Sequence, residues 1–325
     1  MAFFRSPSCA RQALLLIAIF AWGTALVAED TQAESLLKQG RVDEAAAILN
    51  QALAANAHDG RAHQLLCRVY YSQDMADSAI HECEHAVEDD PASSDSQVWL
   101  GRAYGMKASQ INMLSAFGFA RKLHTAFEHA VQLNPANVQA MSDLGQFYVA
   151  APAIVGGGLD KAQDLVPQLM PRSAQKAHRL LAMIAKKKKD LVTAEAEYKS
   201  AVAAGKSPDA LVDLGQFYQE QSQPDKAVAA LEASIQTNRA RSSALVDAAS
   251  ILTDLQRRPD LAEKALHDYL SSPAKTDEAP AFKVHLQLAD ILKKRGDTAG
   301  AQREYAAAQA LASNFVPARK AVHGG

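Results

Sequence analysis

The chain has 325 residues, of which 48% are hydrophobic, 22% charged and 6% aromatic, and its formal net charge is −2. That balance fits one large or two ordinary folded domains and excludes a disordered polyelectrolyte. A near-neutral body also gives no electrostatic footprint for nucleic acid. Alanine is abundant and β-branched residues form no regular array, which favours packed helices over sheets.

In chain order, residues 1–28 read as a secretory signal peptide. Arg5 and Arg11 form a basic start, Ala13 to Ala28 is apolar, and Leu26-Val27-Ala28 offers a small-residue exit before Glu29-Asp30. The apolar run is shorter than the ~20 residues a spanning helix needs. Cleavage is expected after Ala28, with export to a periplasmic or secreted location. Retention as an anchor is the alternative. No other stretch is apolar for long enough to cross a bilayer.

From Glu29 onward the chain repeats. Leu36 and Leu37 belong to a first helix, Gly40 makes a turn, and Ala45, Leu49 and Ala52 share one face of a second helix. The next unit carries Leu66, Cys67 and Tyr70, then Ala79, Cys83, Ala86 and Pro91. A third opens with Trp99-Leu100-Gly101-Arg102-Ala103-Tyr104 and overruns its expected length, with an apolar insertion at 106–122 expected to extend the hairpin beyond the stack. Asp143-Leu144-Gly145-Gln146-Phe147-Tyr148 opens a fourth and returns unchanged as residues 213–218, about two periods of roughly 34 residues later. Between its helices lies a lengthened Gly-rich loop, 151–158. A degenerate fifth unit runs through Lys186 to Lys189, and three more follow, with Phe315 to Val322 as a capping helix. Ser271 to Pro280 is the only linker-like stretch. The recurrent order places small residues where two antiparallel helices approach and large ones in the groove beside them.

These residues resemble the tetratricopeptide repeat family, and the long third hairpin with its Gly-rich successor is similar to exported bacterial members. The resemblance implies an all-α, right-handed superhelical solenoid of about eight helix–turn–helix repeats over 29–325. It implies a concave groove lined by the first helix of each pair, a protein-binding scaffold role, no catalytic residues and no cofactor.

Several motifs carry competing chemistry. His81-Glu82-Cys83-Glu84-His85 satisfies the H-E-x-x-H pattern, in which two histidines share a Zn²⁺ and Glu82 acts as base. A zinc-dependent hydrolase is therefore the alternative function. Against it, the repeat register buries Cys83, turns both histidines outward and marks no third ligand. Cys67 and Cys83 face each other across one unit, so a disulfide or two buried thiols both fit. Gly156-Gly157-Gly158 lacks the Gly-Lys-Ser/Thr of a phosphate loop and reads as a flexible connection.

The groove is the stronger candidate. Arg61, Gln64 and Arg68 share one helical face, Arg102 and Gln146 continue the row, and Lys176 and Arg179 add positive charge further along. A groove basic at its N-terminal end is expected to hold an acidic segment or a carboxylate of a protein partner. Self-assembly through the long third hairpin, as a structural envelope component, is a further possibility. The sequence does not determine the oligomeric state.

Overall fold

The computed structural model describes residues 30–323; the expected leader 1–28 and its cleavage point lie outside the described residues. Among the described residues there are helices and one 3-10 turn but no strand. Eight antiparallel pairs follow one another. They are α1 (30–38) with α2 (Val42–Ala55), α3 (Gly60–Ser72) with α4 (Ala76–Asp89), α5 (Ser94–Gln110) with α6 (Met113–Leu133), and α7 (Val138–Ala150) with α8 (Leu159–Leu169). The second half contains α9 (Ala174–Lys187) with α10 (Leu191–Gly205), α11 (Pro208–Glu220) with α12 (Pro224–Thr237), α13 (Ala244–Asp254) with α14 (Pro259–Leu270), and α15 (Ala281–Lys294) with α16 (Thr298–Leu311). Helix α17 (Val316–His323) caps the stack.

Local sequence explains the boundaries. Asp59, Ser93, Asn137, Ser173 and Ser207 each accept backbone N–H groups at the start of a first helix, satisfying donors that have no intrahelical partner. Most first helices end in one device. Gly40, Asp74, Lys189, Ser222, Gln256 and Gly296 adopt positive φ. The N–H one residue later then reaches back five residues, as in Arg41 to Leu36, Asp190 to Ala185 and Gln223 to Tyr218. This is the Schellman stop, which satisfies orphan carbonyls and turns the chain sharply into the second helix.

The repeated glycine has a packing cause. A Cβ on Gly101 would stand 2.3 Å from Phe127, and one on Gly215 would stand 2.8 Å from Leu231. Only glycine lets the second helix come that close.

The third unit absorbs its extra residues by lengthening both helices. α5 has 17 residues and α6 has 21, against 11 to 15 in the other helices from α2 to α16. The Gly-rich connection of the fourth unit is packed rather than loose. Val155 is buried, Gly158 N–H bonds the Tyr148 carbonyl at 2.9 Å, and Gly156 lies under the His124 ring. The glycines are there for close approach, which corrects the expectation of a flexible loop.

The two ends of the solenoid meet. One apolar cluster joins Leu36, Leu37, Val42 and Leu65 of the first two units to Phe282 of α15 and Phe315 beside α17. The two phenylalanine rings cross edge-on at 4.9 Å. Gly40 lies so near Ala281 that a Cβ there would be 2.7 Å from its backbone nitrogen. Lys283 binds Asp74 at 2.7 Å, and Ser313 N–H donates to Asp43 at 2.8 Å. The eighth unit thus docks on the turns of the first two.

Candidate functional site: the concave face

The first helices of the pairs line the inner face, and the connection between α14 and α15 enters it. Tyr269, fully buried, organises that connection. Its hydroxyl donates to the Ala279 carbonyl at 2.7 Å and accepts from Thr276 N–H at 2.9 Å. Asp277 is thereby presented to Arg68 of the second unit, Nε to Oδ2 at 2.7 Å, with the arginine 8% and the aspartate 5% exposed. Glu278 approaches Arg102 of the third unit at 3.6 Å. Both guanidiniums lie on the Trp99 ring, 5.2 and 4.6 Å from its centroid. Burial works against the charge of Arg68, but the Asp277 carboxylate outweighs it and the net shift of its pKa is upward.

The structure therefore places the sequence-predicted row in two groups. Arg61 is bonded to Glu34 at 2.6 Å and to the buried Gln64; Arg68 is bonded to Asp277; and Arg102 donates to Asp143 at 2.8 Å. Each arginine of the basic end has a carboxylate from the chain itself, so the basic face anticipated from sequence is neutralised internally. Arg61 and Arg102 take Glu34 and Asp143 from adjoining units, while ring closure brings Asp277 to Arg68 and Glu278 towards Arg102 from the far end.

Gln146, Lys176 and Arg179 belong to a separate cleft of about 790 Å³. Its walls come from α7, α9, α11 and α13. Arg179 Nε lies 2.9 Å from both oxygens of Asp213, and Lys176 donates to Gln139 at 2.8 Å. Asp209, Asp247 and Asp254 complete the charged lining. Crowding by protein atoms, reinforced by Asp209 and Asp213, pushes the Asp247 carboxyl up to about 6. Burial likewise lowers the Lys176 pKa, helped by the neighbouring Arg179 and Arg102. The aspartates were not singled out from sequence, although Asp143 and Asp213 open the two copies of the hexapeptide. In both, that residue grips an arginine from the preceding unit.

The histidine motif has a different role. Glu82, the would-be base, accepts from His63 Nδ1 at 2.7 Å. The same 19-residue pairing recurs as His178–Glu197 at 2.7 Å and His285–Glu304 at 2.6 Å. A contact repeated in the second, fifth and eighth units braces first helix to second. His81 and His85 pack ring against ring at 4.7 Å, and among the described residues no group of three His, Cys, Asp or Glu side chains converges as a metal site. Cys67 and Cys83 form a disulfide within the same unit, with Cα atoms 5.2 Å apart.

Comparison with known proteins agrees with this architecture. Tetratricopeptide repeat models match residues 36–104 and 208–241. No curated protein matches the sequence. Among solved structures, yeast Tom70 is similar with a TM-score of 0.51 at 14% identity, covering 87% of this chain and 57% of that one. A thermophilic tetratricopeptide-repeat protein of Thermus thermophilus gives 0.45 at 20% identity, covering 69% and 99%. YrrB, described as a tetratricopeptide protein with an unusual peptide-binding site, gives 0.38 at 16%, covering 58% and 92%. Residues 36–104 and 208–241 thus carry tetratricopeptide repeats, set in an all-helical solenoid.

Proposed function

We propose that this protein is a non-catalytic scaffold that holds a segment of a partner protein in the cleft between the fourth and seventh units. The observation that carries the reading is the cleft itself: about 790 Å³, on the inner face, walled by polar and charged side chains of four successive first helices. The sequence alone favoured an acidic partner at Arg61, Arg68 and Arg102. With those arginines paired internally, the better fit is a segment that presents a cation towards Asp209, Asp247 and Asp254 and polar groups towards Lys176, Gln139 and Gln146. The leader-like residues 1–28 support action in the cell envelope or beyond it, after cleavage at Ala28.

The test is partner capture in the native compartment. The wild-type chain and an Asp247→Lys, Asp254→Lys variant would be cross-linked side by side, and the captured proteins identified. A partner held by the wild type and lost from the variant is expected. Identical partners on both would remove the cleft from the proposal. N-terminal sequencing of the purified protein checks export: a first residue of Glu29 is expected, and an intact Met1 would overturn it.

A further inference from the structure

Because all helix pairs are antiparallel hairpins, the turns inside the units line one edge of the solenoid and the connections between units line the other. The most exposed large apolar side chains gather on the first of these edges. Met113 and Leu114 are 77% and 82% exposed at the apex of the third hairpin. Ile154 and Val192, at 66% and 83%, occupy the corresponding turns of the fourth and fifth units. Among the described residues only Val316, at 45%, stands as an exposed large apolar residue on the opposite edge. Chance scatter of surface hydrophobics would not select one edge and three consecutive units.

Basic side chains lie near the same edge, with Asp190 as an exposed acid beside them. Residues 96–127, which make up most of the long hairpin, contain no Asp or Glu. Arg121 and Lys122 are exposed on its outer part, and Lys187, Lys188 and Lys189 are exposed at the end of α9 two units along. Lys187 reaches the Ala150 carbonyl at 3.5 Å, so the lysine turn abuts the fourth unit's turn. The overrun of α6 has a definite size. Residues 113–116 precede Phe117, the first residue of the helix packed against the core, and four residues at 1.5 Å each project about 6 Å. That matches the ~5–10 Å depth to which apolar side chains enter the headgroup and acyl boundary of a bilayer. With the apex at that depth, the lysine turn lies at headgroup level.

We infer that this edge docks the protein on an anionic lipid surface, with Met113 and Leu114 as the inserted wedge and Lys187 to Lys189 as headgroup contacts. A second copy of the chain fits less well. A two-residue apex cannot supply the ~1,000 Å² that a stable interface needs, and pairing like edges would set lysines against lysines. The inference concerns a surface separate from the cleft and stands whatever the cleft holds.

The test places an environment-sensitive fluorophore at single sites in the full chain. In a Cys9→Ser background, with the Cys67–Cys83 disulfide intact, Met113→Cys carries the label at the apex and Val316→Cys carries it on the opposite edge. Added phosphatidylglycerol vesicles are expected to brighten and blue-shift the apex label and leave the other unchanged, with phosphatidylcholine vesicles doing neither. Lys187→Glu, Lys188→Glu and Lys189→Glu together should weaken the response on the order of a hundred-fold in lipid concentration. These side chains are exposed, so the variants should keep the wild-type circular dichroism. A silent apex label on vesicles that nevertheless retain the chain would overturn the inference, since residues 1–28 would then be the holding element. A lipid-independent response that grows with protein concentration would also overturn it, in favour of self-association.

Discussion

Removing Arg68 should release the closure of the solenoid. Both partners of the Arg68–Asp277 pair are almost wholly buried, and they are 209 residues apart in sequence. Arg68→Met leaves Asp277 as a buried carboxylate without its cation, a change that costs about 3–5 kcal/mol. Asp277→Asn is milder, because Arg68 keeps Glu34 at 3.7 Å, and about 1–2 kcal/mol is expected. Arg68→Met with Asp277→Leu removes both charges and should cost less than Arg68→Met alone. The loss belongs to one edge of a repeat array, so global unfolding is not the cleanest readout. Amide hydrogen exchange in α1, α3 and α15 reports it directly, and small-angle scattering reports the increase in radius as the ends part. Expected is the order Arg68→Met, then the double variant or Asp277→Asn, with faster exchange at both ends. If Arg68→Met and Asp277→Asn each changed stability by less than about 0.5 kcal/mol, with exchange and scattering unaltered, the apolar contacts of Phe282 and Phe315 would be holding the ends alone, and the argument from buried charge would fail.

Two further outcomes follow from named contacts. Gly101→Ala drives a Cβ to 2.3 Å from the rigid Phe127 ring and should lower stability by about 1–3 kcal/mol in urea melts. Gly215→Ala brings a Cβ to 2.8 Å from Cδ2 and 2.9 Å from Cγ of the fully buried Leu231, and a propensity gain of about 1 kcal/mol offsets part of the crowding, so a smaller loss is expected; a loss equal to that of Gly101→Ala would refute the distinction. At Asp247, a carboxyl raised from 3.8 to about 6 takes up its proton in the folded state first, so its contribution to stability falls as pH rises through about 6. Asp247→Asn should therefore exceed the wild type by about 1 kcal/mol at pH 7.5, the two-unit shift being discounted for solvent exposure, and match it near pH 3. A constant difference across that range would remove the carboxyl as its cause.

What the sequence disclosed and what it hid divide by range. The repeated Asp-Leu-Gly-Gln-Phe-Tyr, the large–small–large order and the Schellman glycines are local signals. They located helices, turns and the eight-pair array because each unit needs the same close approach between its own two helices. Cys67 and Cys83 were legible as facing positions for the same reason. Closure was not legible. Phe282, Gly40 and Asp277 acquire their roles only once the superhelix has turned far enough to bring its eighth unit onto its first, and no short-range periodicity carries that distance. Arg61, Arg68 and Arg102 are each paired with a carboxylate, and the partner of Arg68 lay in the stretch set aside as a linker. An acidic pair in the only linker of a chain with a basic N-terminal face was the available clue. The His–Glu braces were hidden differently, because an H-E-x-x-H pattern drew Glu82 towards His85 along the helix when its partner was His63 across the hairpin.

Closure also decides how the cleft can discriminate. A solenoid held at both ends presents its inner walls already positioned, so a partner loses less in ordering the receptor and more of the contact energy appears as affinity. Yet both cations there already have partners, Arg179 the Asp213 carboxylate and Lys176 the Gln139 amide oxygen, and displacing those contacts returns little net gain. Such groups reject a wrong partner more than they attract the right one. The attraction falls to the carboxylate whose neighbours repel it: Asp247 lies beside Asp209 and Asp213, and a cation brought to it relieves that repulsion while forming a bond. Partner binding should therefore draw the Asp247 pKa back towards the ordinary carboxylate range. Linkage then requires affinity to fall as pH drops through about 6, and a pH-independent affinity between 5 and 8 would place the partner's cation elsewhere.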